Sequence, residues 1–242
     1  MGFIILTTIG TTVSQDSIKD LNLIKSEFAK DFSYATNGLA KMDTSYPTQI
    51  IEIKETDAHN MIENIKKFYE TNPDIFDFIS IYGDNGINPT IAGGDHLSIQ
   101  NNVNGIGTGI FDDTSYFGSS GKLKGVNSMH DLSKMEYTLN NKFNWNKGLL
   151  HETGHLWCCD VGDNFVGKNS GEKLEIIQQG IHFYRGLESP YETVTPMNSD
   201  YWVSNGDGSY KRVNDEGIKR YHPFQLYFMG LLNKYSYDFN KK

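Results

Sequence analysis

Two imidazoles and a carboxylate fall within one short run, His151-Glu152-Thr153-Gly154-His155. On an α-helix, residues four apart lie one above the other on the same face, so His151 and His155 can turn two ring nitrogens toward a single ion. Glu152 sits on the adjoining edge, close enough to polarise a metal-bound water. Zinc suits this set, because it accepts neutral imidazole nitrogen and keeps a position for water in catalytic sites. The bland alternative is a surface helix carrying two unrelated histidines. Leu149, Leu150, Leu156 and Trp157 weigh against it: they make the segment mostly apolar, and buried His and Glu side chains need partners. The expected cofactor is therefore Zn2+, with His151 and His155 as metal ligands and Glu152 as the catalytic general base.

The elements that must position this run follow from periodicity. Phe3 to Ile9 reads as a strand, rich in β-branched residues. Asp16 to Ala35 carries Leu21, Ile24, Phe28 and Phe32 at helical spacing and is stopped by Asn37-Gly38. Gln49 to Lys54 reads as a strand, Ala58 to Thr71 as a helix ended by Asn72-Pro73, and Ile75 to Tyr82 as an apolar strand. Strand alternating with helix is the pattern of an α/β sheet layer. Gly105 to Phe111 and Lys122 to Met129 look like glycine-rich strands; the first is no phosphate loop, since no Lys-Ser/Thr follows it. The site helix is expected from Lys147 to Cys159 or slightly beyond. Asp160 to Gly171 follows as a polar loop, and Leu174 to Tyr184 fits either helix or strand. Tyr201 to Ser204 and Ser209 to Val213 flank Asn205-Gly206-Asp207-Gly208 as a hairpin, with Asp207 read as turn chemistry rather than a calcium ligand. Pro223 to Leu232 reads as a closing core helix.

Bulk properties narrow the partners. The 242 residues suffice for one large core, and no linker or repeat divides them. A net charge of −8 with no basic run makes nucleic acid and anionic membranes poor partners. No stretch reaches the roughly 20 apolar residues of a membrane span. Met1 to Leu6 has no positive flank or small-residue cleavage site and so is a poor signal peptide. Cys158 and Cys159 are the only cysteines; as neighbours they are read as thiols of the site helix, not a disulfide.

In order along the chain, the motifs resemble a family of largely uncharacterised microbial predicted zinc metallopeptidases. The carrying stretches are Gly105-Ile106-Gly107, Gly118 to Leu123, Leu150 to Trp157, Gly180-Ile181-His182-Phe183, Met197 to Trp202, Asn205 to Gly208, and His222 to Leu231. The resemblance spans roughly residues 30–232 and implies a zincin-like fold. Family members continue past the Met-Gly-Leu block, which raises the expectation of a further C-terminal part beyond Lys242. The fold class expected is therefore α/β (α+β), a twisted mixed sheet with the HExxH helix and a smaller C-terminal subdomain. Residues 1–159 would form the N-terminal part of one domain, and residues 160–242 the part supplying the third metal ligand.

A catalytic zinc needs that third protein ligand. A metzincin pattern would place Gly at 158 and His at 161, where this chain has Cys158 and Val161. His182 matches the family's Gly-x-His-aromatic block and is the first choice. Glu175, 20 residues after His155, has a spacing similar to thermolysin-like enzymes and is the alternative; Asp160 and Asp163 are further allowed ligands. Thr195-Pro196-Met197-Asn198 could form a turn beneath the metal, as Met does in metzincins, although a Met in a turn is more often plain packing. Tyr201 is the candidate catalytic donor to an oxyanion. His222, His130, His96 and His59 have no comparable context.

The function this points to is a zinc metallopeptidase, an endopeptidase with a peptide or protein substrate, using a zinc-activated water and Glu152. A zinc hydrolase of a non-peptide amide or ester shares the same chemistry. A non-catalytic zinc-containing binding module would instead show a closed four-ligand site. An extracellular location fits a broad peptidase, and the oligomeric state is not legible.

Overall fold

The computed structural model describes residues 3–8, 15–45, 49–51, 60–83, 94–104, 109–132, 145–157, 196–197, 201–205, 207, 209–213, 220–221 and 223–233. Its centre is a five-stranded sheet built from β1 (Phe3–Thr8), β2 (Gln49–Ile51), β3 (Phe78–Gly83), β4 (Asp95–Ser98) and β7 (Gly125–Asp131), in the order β2-β1-β3-β7-β4. The first four strands of that order run parallel, and β4 lies antiparallel to β7 at the edge. Short hairpins β5 (Gln100–Asn101) with β6 (Phe111–Asp112), and β8 (Tyr201–Ser204) with β9 (Tyr210–Val213), complete the strands. The class is α+β with a mixed sheet, as the alternation of elements leads one to expect.

Helix α1 (Gln15–Ala35) forms because Leu21, Ile24, Phe28, Phe32 and Ala35 recur on one face, and all five are fully buried. It stops where Asn37 and Gly38 take φ of 54° and 74°, and Gly38 N–H closes the end by donating to Ser33 O at 2.7 Å. Helix α2 (Met61–Thr71) starts at Asn60, whose side chain accepts from Glu63 N–H. The helix ends at Asn72, before Pro73.

The two helices sit on opposite faces of the sheet because side chains alternate along β3. Ile79 and Ile81 join Ile65 and Phe68 of α2, whereas Phe78 and Tyr82 join α1, helix α3 (Trp145–Gly154) and helix α4 (Pro223–Phe228) in the larger core. Among the described residues, no helix is long and apolar enough to cross a membrane.

Several boundaries differ from expectation for local reasons. The strand expected from Ile75 begins at Phe78, because Ile75 N–H turns back onto Pro73 O at 3.0 Å. The strand expected from Lys122 begins at Gly125, because residues 121–123 donate backbone N–H groups to Ser119 Oγ. Of the Gly105–Phe111 run, Phe111 pairs as strand together with Asp112, and residues 105–108 lie outside the described residues. Helix α4 stops at Phe228 instead of Leu232, closed by Gly230 at φ 72° and by Leu231 N–H donating to Leu226 O at 2.9 Å. The hairpin is formed as expected, and Asp207 is spent on its turn, accepting from Ser209 N–H at 2.9 Å and from the Ser209 hydroxyl. Edge strand β4 has no counterpart in the sequence reading. It matters most for the site.

Candidate metal centre

The site helix is anchored before it is chemically interesting. Leu149 and Leu150 are buried in the larger core, and Tyr221, also buried, ties the helix to its neighbour. The Tyr221 hydroxyl donates to Leu150 O at 2.5 Å, while its N–H donates to Ala35 O at the end of α1 at 2.9 Å. Helix α3 ends at Gly154 rather than continuing to Cys159, and His155 N–H drops back onto Glu152 O in a tighter turn at 3.2 Å. Glycine is a weak helix former, and here Gly154 is also packed against Met197 and Tyr221, where a Cβ would collide with Met197 Sδ.

Despite that early end, the two histidines converge. Their ring centroids stand 4.6 Å apart with planes at 88°. One ligand atom from each of His151, Glu152 and His155 lies within 4.8 Å of the others, a separation at which a single ion can be shared. His151 Nδ1 lies 2.9 Å from Pro196 O, an acceptor only, so Nδ1 carries the proton and Nε2 is the nitrogen that could ligate a metal. This carbonyl belongs to a turn at Pro196–Met197, with Met197 fully buried against Gly154. Pro196 and Met197 form a turn, residues 195 and 198 lie outside the described residues, and Met197 packs in the core while Pro196 O meets one of the two imidazoles. The residues present therefore fit a metal that prefers nitrogen and oxygen donors.

Glu152 is 8% exposed, with its carboxylate 3.9 Å from His155 Nε2. Burial, reinforced by the charge of Asp95, raises its pKa to about 7. Gly94, just before edge strand β4, closes this side. A Cβ on Gly94 would meet Glu152 Oε1 at 2.7 Å, so only glycine lets the chain pass so near the carboxylate. Two residues on, the His96 ring stands 6.4 Å from that of His155.

Of the residues singled out in the sequence, His151, Glu152 and His155 are brought together. His182, Glu175, Asp160, Asp163, Cys158 and Cys159 lie outside the described residues, as does the segment from 174 to 184. Tyr201 opens β8, with its side chain outside the description. His96, set aside in the sequence reading, lies beside the site, and Gly94, Asn127, Pro196 and Tyr221 also bear on it. The weak alternation Asp95-His96-Leu97-Ser98 after Gly93-Gly94 was the only local signal for β4.

No protein-family model, no curated protein and no solved structure matches the chain.

Proposed function

We propose that the chain is a zinc-dependent metallopeptidase of zincin-like fold, acting as an endopeptidase. The observation that carries this reading is the His151–Glu152–His155 group, with its ligand atoms within 4.8 Å of one another and His151 oriented through Pro196 O. His151 and His155 would hold the zinc, with His182 as the third ligand and Glu175 as the alternative. When bound, zinc supplies Lewis acidity, acidifying a coordinated water and polarising a substrate carbonyl.

The protein's own part falls to Glu152. A carboxylate whose pKa lies near 7 can take a proton from water and return it to a departing amine within one cycle. Burial beneath Gly94 holds it in one place and limits competing water. Tyr201 is the proposed donor to the substrate oxygen.

A peptide substrate is favoured by strand β4. It ends the strand order, and among the described residues nothing pairs with its outer edge. An extended chain could add there by backbone hydrogen bonding, with its scissile bond beside Glu152. The test is chelator-sensitive cleavage of casein by the purified protein, together with its metal content. Cleavage lost on chelation and restored by Zn2+ is expected. Bound zinc without turnover of casein or simple esters would favour a binding module.

A further inference from the structure

Beneath the site helix lies a polar chain that the hydrolytic reading leaves unused. Asn127 on β7 is fully buried, and its side chain reaches three elements at once. Its amide nitrogen donates to Thr153 Oγ1 at 3.0 Å and to Ser80 Oγ of β3 at 3.3 Å. Its Oδ1 stands 2.7 Å from His96 Nδ1. With both amide protons committed, Oδ1 can only accept, so the proton of His96 sits on Nδ1 and Nε2 carries the lone pair. That Nε2 is buried with no hydrogen-bond partner. An imidazole held by a single bond is a costly way to fill space beside Phe78, where an apolar ring would pack without loss.

Position explains the cost. Thr153 lies midway in sequence between His151 and His155, and its hydroxyl meets Asn127 of the sheet. A bond from Thr153 to the sheet therefore fixes the rotation of α3 about its own axis, and with it the direction of both imidazoles. The bond from Asn127 to His96 joins side chains that are directly opposite on β7 and β4 and orients the His96 ring that stands beside His155, two residues on from the Gly94 that abuts Glu152. One side chain thus contacts both Thr153 of the site helix and His96 beside the site.

We propose that Asn127 is a positioning residue of the metal centre, acting through Thr153 on the helix that carries the two histidines and through the His96 ring that stands beside His155. This rests on the metal-site reading above, and the experiment separates the two. Co2+ serves as the probe, its binding followed by the visible d–d spectrum of the whole chain. Wild-type protein is expected to bind it. Asn127→Ala, and separately Thr153→Val and His96→Phe, which fill the same space while cutting one arm each, are expected to weaken binding by about 10- to 100-fold and shift the spectrum. Thr153→Ser, which keeps the hydroxyl, is expected to restore both. If the variants melt earlier but bind Co2+ with wild-type affinity and spectrum, Asn127 is merely structural and the proposal fails. If Asn127→Ala does not fold, the two single-arm variants decide. Absence of Co2+ binding by the wild type would overturn the metal-site reading itself, and this proposal with it.

Discussion

The two faces of the sheet are built on different terms. Against α2, the packing is mainly apolar, with Asn64 the buried polar residue of the helix: Ile65 and Phe68 meet Ile79, Ile81 and Val126, with Phe117 and Leu123 closing the end. Against α3, the same strands present Ser80 and Asn127 to Thr153, and the neighbouring strand adds His96. Burying polar groups stabilises little even when all are paired, and it costs more when one is not. The α2 face is what a fold needs in order to stand. The α3 face carries groups that folding alone does not require, and such local departures from apolar packing are where function is expected.

Four expectations break or sharpen this contrast. The largest concerns activity. Glu152→Gln should retain zinc while lowering proteolysis by about 10²- to 10⁴-fold, the range for removing a general base; metal analysis beside a casein assay checks it. Phe68→Ala, on the opposite face, should cost about 3–5 kcal/mol in denaturant unfolding, as for other large-to-small core changes, yet leave metal affinity unchanged while the protein is folded. If zinc binding falls with it, the two faces are not separable. Gly94→Ala should reverse that pattern. Its Cβ would displace the Glu152 carboxylate, lowering kcat by about tenfold with little loss of stability, since the cost falls on the tip of a flexible side chain.

The smallest effect is on stability against pH in the metal-free protein. Folded Glu152 has a pKa raised to about 7 from 4.5, so the fold binds this proton more tightly than the unfolded chain. The resulting stability is fully present below 4.5 and is lost as pH rises through about 7. Glu152→Gln, which cannot ionise, should therefore match the wild type at pH 4 and melt at least a few degrees higher at pH 8. Equal melting temperatures at both pH values would mean that the carboxylate is solvated.

How much of this was legible in the sequence depends on the range of each contact. The His151–Glu152–His155 group lies within one turn of chain, so spacing alone brought it to notice. Helices α1 and α2 were likewise written in their apolar periodicity and in Asn37-Gly38 and Asn72-Pro73. Strand β4 was not legible: it is four residues long, half exposed, and defined by pairing with a strand some 30 residues away. His96 and Asn127 are joined by that register and nothing local to either announces it. The end of α3 at Gly154 was missed, and the Met197 and Tyr221 side chains packed against that glycine reach it from distant parts of the chain.

The central claim is that the His151 and His155 imidazoles hold one metal ion beside the Glu152 carboxylate. The most direct measurement is the zinc content of purified, zinc-reconstituted and exhaustively dialysed protein, with His151→Ala and His155→Ala prepared alongside. About one zinc per wild-type chain, and its loss from both variants, is the expected result. Wild-type protein free of zinc, or variants that keep it fully, would contradict the claim.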